Sequence, residues 1–123
     1  MAKILIFDPD PDVSWDVVSD MGHEVFAFHD AGEAVDFARE NKVDIALLST
    51  PEGLDLIDPL REISTNFKVV LLSASPQVEE VALGIRKRAC SYLFKPILPE
   101  EMEACFKRAL LKGKSTTKIA LNI

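Results

Sequence analysis

KVVLLSASPQVEEVALGIRKRACSYLFKP, residues 68–96, holds an apolar run, an amphipathic stretch and a second apolar run, in that order. KVVLL (68–72) and SYLF (91–94) are short and continuously apolar, the pattern of strands buried on both faces. Between them, Ser75 and Pro76 supply an N-cap followed by proline at the first helical position, opening a helix over PQVEEVALGIRKR. Strand, helix and strand in this space make one parallel crossover unit.

The same unit recurs on either side. KILIF (3–7) and DIALL (44–48) are further runs of the buried type, and EVFAF (24–28) suits a strand nearer the sheet edge. In AGEAVDFAREN, Ala34, Val35, Phe37 and Ala38 form one stripe behind a capping-box start at Asp30 and Glu33. PDVSWDVVSDM predicts a first helix of barely three turns with Val13, Val17 and Val18 turned inward. The third helix carries Pro59, tolerated only in a first turn, so it is short and starts near Asp58. Pro99 opens a last helix with Met102, Phe106, Ala109 and Leu110 on one face, acids early and bases late. The expected fold is α/β: a doubly wound, five-stranded parallel sheet in a three-layer sandwich.

The totals bound the function. At 123 residues, 48% apolar and 28% charged, the chain has the size and composition of one soluble globular domain. A net charge of −6 argues against a nucleic-acid surface, and no apolar run approaches the length of a membrane span. Cys90 and Cys105 form no metal or redox motif and read as small apolar groups with reduced thiols. A cytoplasmic location follows as an expectation. His23 and His29 lack ligand partners at metal spacing and read as surface residues.

In a parallel α/β sheet the functional crevice lies beyond the carboxyl ends of the strands. That rule collects Asp8 and Asp10 after the first strand, Ser49 after the third, Ser73 after the fourth and Lys95 after the fifth. With these residues, and with SYLFKP leading into a Pro-Glu-Glu helix, residues 3–111 resemble the receiver domain of bacterial response regulators. The resemblance implies the CheY-like strand order 2-1-3-4-5. It also implies an acidic pocket at Asp8 and Asp10, a phosphoacceptor position at 49, a switch pair at Ser73 and Tyr92, and a pocket lysine at Lys95.

Two of the implied positions depart from the family pattern. Pro9 stands where the second acidic residue would be and offers no side-chain oxygen. Ser49 stands where the family has its phosphoaccepting aspartate, and a neutral hydroxyl is a poor nucleophile without a base. The Mg²⁺ site, which needs oxygen ligands from both positions, falls with the acyl-phosphate chemistry. Losing a carboxylate also relieves like-charge crowding and lets Lys95 pair with Asp8 directly. The expectation is a pseudoreceiver: not an enzyme, without metal or cofactor, its Ser49 hydroxyl bonded to nearby backbone. It would act by phosphorylation-independent protein–protein interaction. Helix 4, strand 5 and helix 5 (84–94 and 98–108) would form the partner or homodimer face, with Tyr92 at its centre. The first helix is about a turn short for the family and STPEGLD about a residue short. Arg88 replaces the family's usual glycine after helix 4, so that helix is expected to end differently.

Two alternatives belong to other classes. ILIFDPD also looks like the first motif of haloacid-dehalogenase-type Mg²⁺-dependent phosphatases. Asp8 would then be the nucleophile, Asp10 the acid/base, Ser49 or Ser73 a phosphate binder and Lys95 a charge clamp. The acidic pair that should follow the lysine is missing. The other alternative is a receiver with residual weak Mg²⁺ binding through Asp8 and Asp10. Arg86, Lys87 and Arg88 read as a solvated helix end. Residues 1–111 form the receiver-like domain. Residues 112–123 form a linker or C-terminal extension, in which IALNI has strand character.

Overall fold

Successive strand residues point to opposite faces of a sheet, so a run apolar at every position needs a cover on both sides. The computed structural model, which describes residues 2–75, 77–111 and 120–122, supplies both covers. Its strands are β1 (Lys3–Phe7), β2 (Glu24–Phe28), β3 (Ile45–Ser49), β4 (Lys68–Ser73), β5 (Ser91–Phe94) and β6 (Ala120–Asn122). Its helices are α1 (Asp16–Asp20), α2 (Ala31–Glu40), α3 (Ile57–Ile63), α4 (Val78–Arg86) and α5 (Pro99–Leu111). All strand pairs are parallel, in the order β2-β1-β3-β4-β5-β6. The five expected strands hold the expected order, and β6 adds a sixth beside β5.

The pleat sorts the apolar runs into two cores. Leu5, Phe7, Ala46, Leu48, Val69, Leu71 and Tyr92 face α2, α3 and α4. Ile4, Ile6, Ile45, Leu47, Val70, Leu72 and Leu93 face α1 and α5. Each fully buried aliphatic side chain contributes about 1.5–3 kcal/mol by leaving water.

Local signals decide most helix ends. The Asp30 carboxylate caps α2 by accepting from the Glu33 N–H at 3.0 Å. Before α3 the chain makes a 3₁₀ turn over Glu52–Leu56. A Cβ at Gly53 would lie 2.8 Å from the Leu48 Cβ, so this turn packs against β3 only with glycine there.

Several expectations are corrected. Helix α1 is a five-residue helix that buries only Val18, while Val17 is exposed and Val13 half-buried. The cap of α4 is Gln77, in extended conformation, two residues beyond the expected Ser75. On α5, Cys105 is buried, while Leu110 lies toward solvent. Of the expected linker or C-terminal extension at 112–123, residues 112–119 and 123 lie outside the described residues, and Ala120–Asn122 form β6. Arg88 adopts φ +63°, the left-handed conformation that favours glycine, so α4 ends with the αL cap that its lack of glycine had argued against. The Arg88 N–H donates to the Ile85 carbonyl and the Ala89 N–H to the Gly84 carbonyl, each at 3.0 Å, closing a Schellman motif.

Candidate functional site

The polar cleft lies where the sheet runs out of apolar residues. Asp8 follows β1 directly; Ser49 closes β3 and Ser73 closes β4. Asp8, Ser49 and Ser73 are all nearly inaccessible, and Lys95 is half-buried. Register brings them together, with Phe7 beside Leu48, Ser49 beside Leu72 and Ser73 beside Phe94.

Asp8 is the best-held residue of the cleft. Its Oδ2 accepts from Lys95 Nζ at 3.0 Å, and its Oδ1 accepts from the Asp10 N–H at 3.0 Å. Its backbone is tied as well: the Asp8 N–H donates to Phe28, and the His29 Nδ1–H donates to the Asp8 carbonyl, both at 3.0 Å. The lysine is placed by its own backbone, whose N–H donates to the Ser73 carbonyl at 2.7 Å. With a side chain only 4% exposed, the Asp8 carboxylate has these partners in place of water. Asp10 is exposed, and its Oδ1 accepts from the Asp12 N–H at 2.9 Å. The alternating aspartates therefore turn the loop by bonding their own backbone.

Ser49 departs from its expected bonding. Its buried Oγ has no hydrogen-bond partner among the described residues. The neighbouring Thr50 takes up the local backbone capacity, its N–H and Oγ1 both donating to the Leu72 carbonyl at 2.7 and 3.0 Å.

Tyr92 is also corrected. It is fully buried and cannot be the centre of a surface. Its ring packs over Gly84 of α4 and stacks with Phe94, and its hydroxyl donates to the Glu80 carboxylate. Burial and the neighbouring carboxylate push the phenol up to about 12, although the Thr50 and Ser73 hydroxyls act the other way. Ser73 and Tyr92 thus meet on the α4 side of the sheet. Glu80 escaped sequence reading because nothing in its helical position distinguishes it from Glu79.

Sequence reading also missed a clamp between α3 and α4. The Arg61 guanidinium donates to the Lys87 and Arg88 carbonyls at 2.7 and 3.0 Å, and Lys87 Nζ reaches Asp58 at 2.6 Å. Two members of the basic run at 86–88 are therefore part of this structural joint. His23 is not a plain surface residue either. Its Nδ1 accepts from the Ala2 N–H at 3.2 Å and its ring stands edge-on to Phe106. Cys105 is buried, which pushes its thiol up to about 11 and leaves it inert at neutral pH.

A divalent cation in this cleft would need several oxygen ligands free at once. Both Asp8 oxygens are engaged, Pro9 has no side-chain oxygen to give, and Ser49 offers only a hydroxyl. No group of three His, Cys, Asp or Glu side chains able to hold a metal exists among the described residues. The side chains present do not fit a Mg²⁺ site. Among the described residues, no helix is long and apolar enough to cross a membrane.

Comparison with known proteins agrees with the geometry. The family model of the response regulator receiver domain matches residues 4–107. Among curated proteins, the chain is 30% identical over 122 residues to the transcriptional regulatory protein PrrA of Mycobacterium tuberculosis, covering 94% of this chain and 52% of that protein. It is 35% identical over 102 residues to the two-component response regulator PhoP of Pseudomonas aeruginosa, covering 80% of this chain and 45% of that protein. The chain thus spans about half the length of these relatives. Among solved structures, the CheY-like receiver domain protein of Methanospirillum hungatei superposes with a TM-score of 0.81 at 22% identity, over 89% of this chain and 94% of that one. The NtrC4 receiver domain dimer, solved in its beryllofluoride-activated form, gives 0.83 at 21% identity, over 93% and 100%.

Proposed function

Since this chain belongs to the response regulator receiver domain family of two-component signalling, we propose that it is a pseudoreceiver, signalling by protein–protein contact without taking up phosphate. The observation that carries this reading is the Asp8–Lys95 ion pair, closed across the cleft beside a serine at the end of β3. In a phosphorylated receiver those two groups would have to serve a metal ion and a phosphoryl group. Here they neutralise each other. With no carboxylate at 49, the cleft lacks both the nucleophile for an acyl phosphate and an oxygen for the metal. In this reading the domain is not an enzyme and works in the cytoplasm.

The partner face is assigned to α4, β5 and α5. Val78 and Ile85 of α4 are 82% and 41% exposed, an apolar stripe left uncovered among the described residues. The NtrC4 receiver domain forms a dimer, and a homodimer through α4, β5 and α5 is the arrangement proposed for this chain. Tyr92 supports that face from beneath by holding α4 through Glu80.

The test is intact mass after incubation with Mg²⁺ and a small acyl-phosphate donor, with Ser49→Asp alongside. The native protein is expected to gain no phosphate. A gain mapped to Ser49 or Asp8 would overturn the reading. Gain by the Ser49→Asp variant alone would identify Ser49 as the main lesion, and gain by neither would implicate Pro9 as well. The phosphatase alternative requires Asp8 to meet a substrate, against which stands a carboxylate buried and held by Lys95. Residual Mg²⁺ binding is tested by titration followed through the fluorescence of Trp15, the N-cap residue of α1. A saturable change at millimolar Mg²⁺ would favour it.

A further inference from the structure

The hand of the crossovers sets β6 apart. β2→β3, β3→β4 and β4→β5 all advance toward the β5 edge with their helices on one face, the face of α2, α3 and α4. β1→β2 runs the opposite way with α1 on the other face, which is the same hand. β5→β6 advances like β4→β5, yet α5 lies on the α1 face. It is therefore the single crossover of opposite hand among the described elements. Parallel crossovers are right-handed in about 98% of cases, because strand twist and helix packing agree only that way. The three-residue strand β6 is thus held in its own sheet against the preferred connection.

The edge it covers is nonetheless a good acceptor. Ser91, Tyr92 and Leu93 pair with Ala120, Leu121 and Asn122, and an open strand edge is a template for another strand. Donation from a second molecule removes the constraint of hand, since no crossover then joins the two strands. Eight residues, 112–119, separate α5 from β6; a chain of that length reaches at most roughly 26–29 Å when fully extended. The flank of α4 beside β5 points to the same occupant. Val78, Ala82 and Ile85, at i, i+4 and i+7, lie on the side of α4 away from the α3 clamp, with Val78 and Ile85 exposed. A second copy at this edge would cover them.

We propose that the β5 edge is a strand-exchange site whose occupant is the 120–122 segment of a second copy, donated reciprocally across a two-fold axis. The proposal rests on the reading of α4, β5 and α5 as the partner face and names the element that completes it. Exchange of an identical segment adds little cost, because each edge regains the contacts it gave up.

The decisive experiment is a disulfide trap in the full chain. Ser91→Cys and Ala120→Cys, at partner positions in the β5–β6 register, are introduced in a Cys90→Ala/Cys105→Ala background and oxidised. A covalent dimer on non-reducing gels is expected; a bond closed within one chain overturns exchange. Sedimentation of the wild-type chain and of Leu121→Pro, whose proline breaks the short strand, decides independently should the cysteine variant fail to fold. Leu121→Pro is expected to keep its helical signal and to weaken dimerisation by at least about tenfold. A monomeric wild type at all concentrations overturns the proposal. A dimer undiminished in Leu121→Pro does so too, while leaving the α4 face as a contact surface. None of these outcomes depends on phosphate uptake, which the mass measurement decides separately.

Discussion

At the scale of single residues, the cleft is governed by the contrast between a satisfied charge and an unsatisfied hydroxyl. Asp8 is buried with a lysine on one oxygen and a backbone N–H on the other. Removing one partner of such a pair leaves a charge that water cannot reach, which costs more than the pair itself contributes. Lys95→Ala is therefore expected to lower stability by about 3 kcal/mol in urea denaturation at pH 7, and Asp8→Asn/Lys95→Ala together by clearly less. Ser49 is the converse case. Its hydroxyl was removed from water without a partner among the described residues, so Ser49→Ala is expected to be neutral or to stabilise by about 1 kcal/mol. A loss of more than that would show that the hydroxyl is bonded in solution.

At the scale of elements, α4 is pinned at both ends. Near its start Glu80 accepts from the buried Tyr92 hydroxyl; at its end Arg61 grips the Lys87 and Arg88 carbonyls and Asp58 pairs with Lys87. The second joint is possible because the αL conformation of Arg88 turns the chain while the Schellman bonds close the helix. A planar guanidinium can serve two carbonyls at once, and an ammonium cannot reproduce the fork. Arg61→Ala is expected to cost about 1.5–3 kcal/mol, and Arg61→Lys to recover less than half of it. Hydrogen exchange should localise the loosening to the last turn of α4, where a loss confined to α3 would contradict the joint.

At the scale of the molecule, the start of the chain, the turn before β2 and α5 are tied together at His23. Burial lowers its pKa from the ordinary 6.5, opposed by the nearby Glu103 carboxylate, and the Ala2 N–H needs Nδ1 as an acceptor. The folded state therefore binds the proton less readily than the unfolded chain. The stabilisation is complete above pH 6.5 and is lost as pH falls through the lowered folded value. Thermal melts between pH 7.5 and 5 should show a fall in Tm that His23→Gln flattens. An identical fall in both proteins would place the effect elsewhere.

Much was legible from the residues alone, and the reason is periodicity. Runs apolar at every position require a sheet covered on both faces, and their alternation with amphipathic stretches requires parallel crossovers, while the order of the strands was implied by the family resemblance. The polar ends of the runs then fall at one edge of that sheet, so Asp8, Ser49, Ser73 and Lys95 could be gathered without coordinates. What the sequence could not contain was orientation. Tyr92 points inward because the parity of β5 places it under α4 at Gly84, where an aromatic ring fits only with no Cβ above it. Arg88 takes a glycine's conformation because α3 supplies Arg61 to bond the carbonyls around it. Val17 is exposed and Val18 buried because α1 is too short to turn a full stripe inward. By itself the sequence determined the layers and, through the family resemblance, the strand order, and it set Pro9 and Ser49 at positions where that resemblance implies carboxylates. Tertiary structure alone decided which groups pair, since a hydrogen bond or ion pair between residues 87 positions apart depends on register and pleat, which no local pattern records.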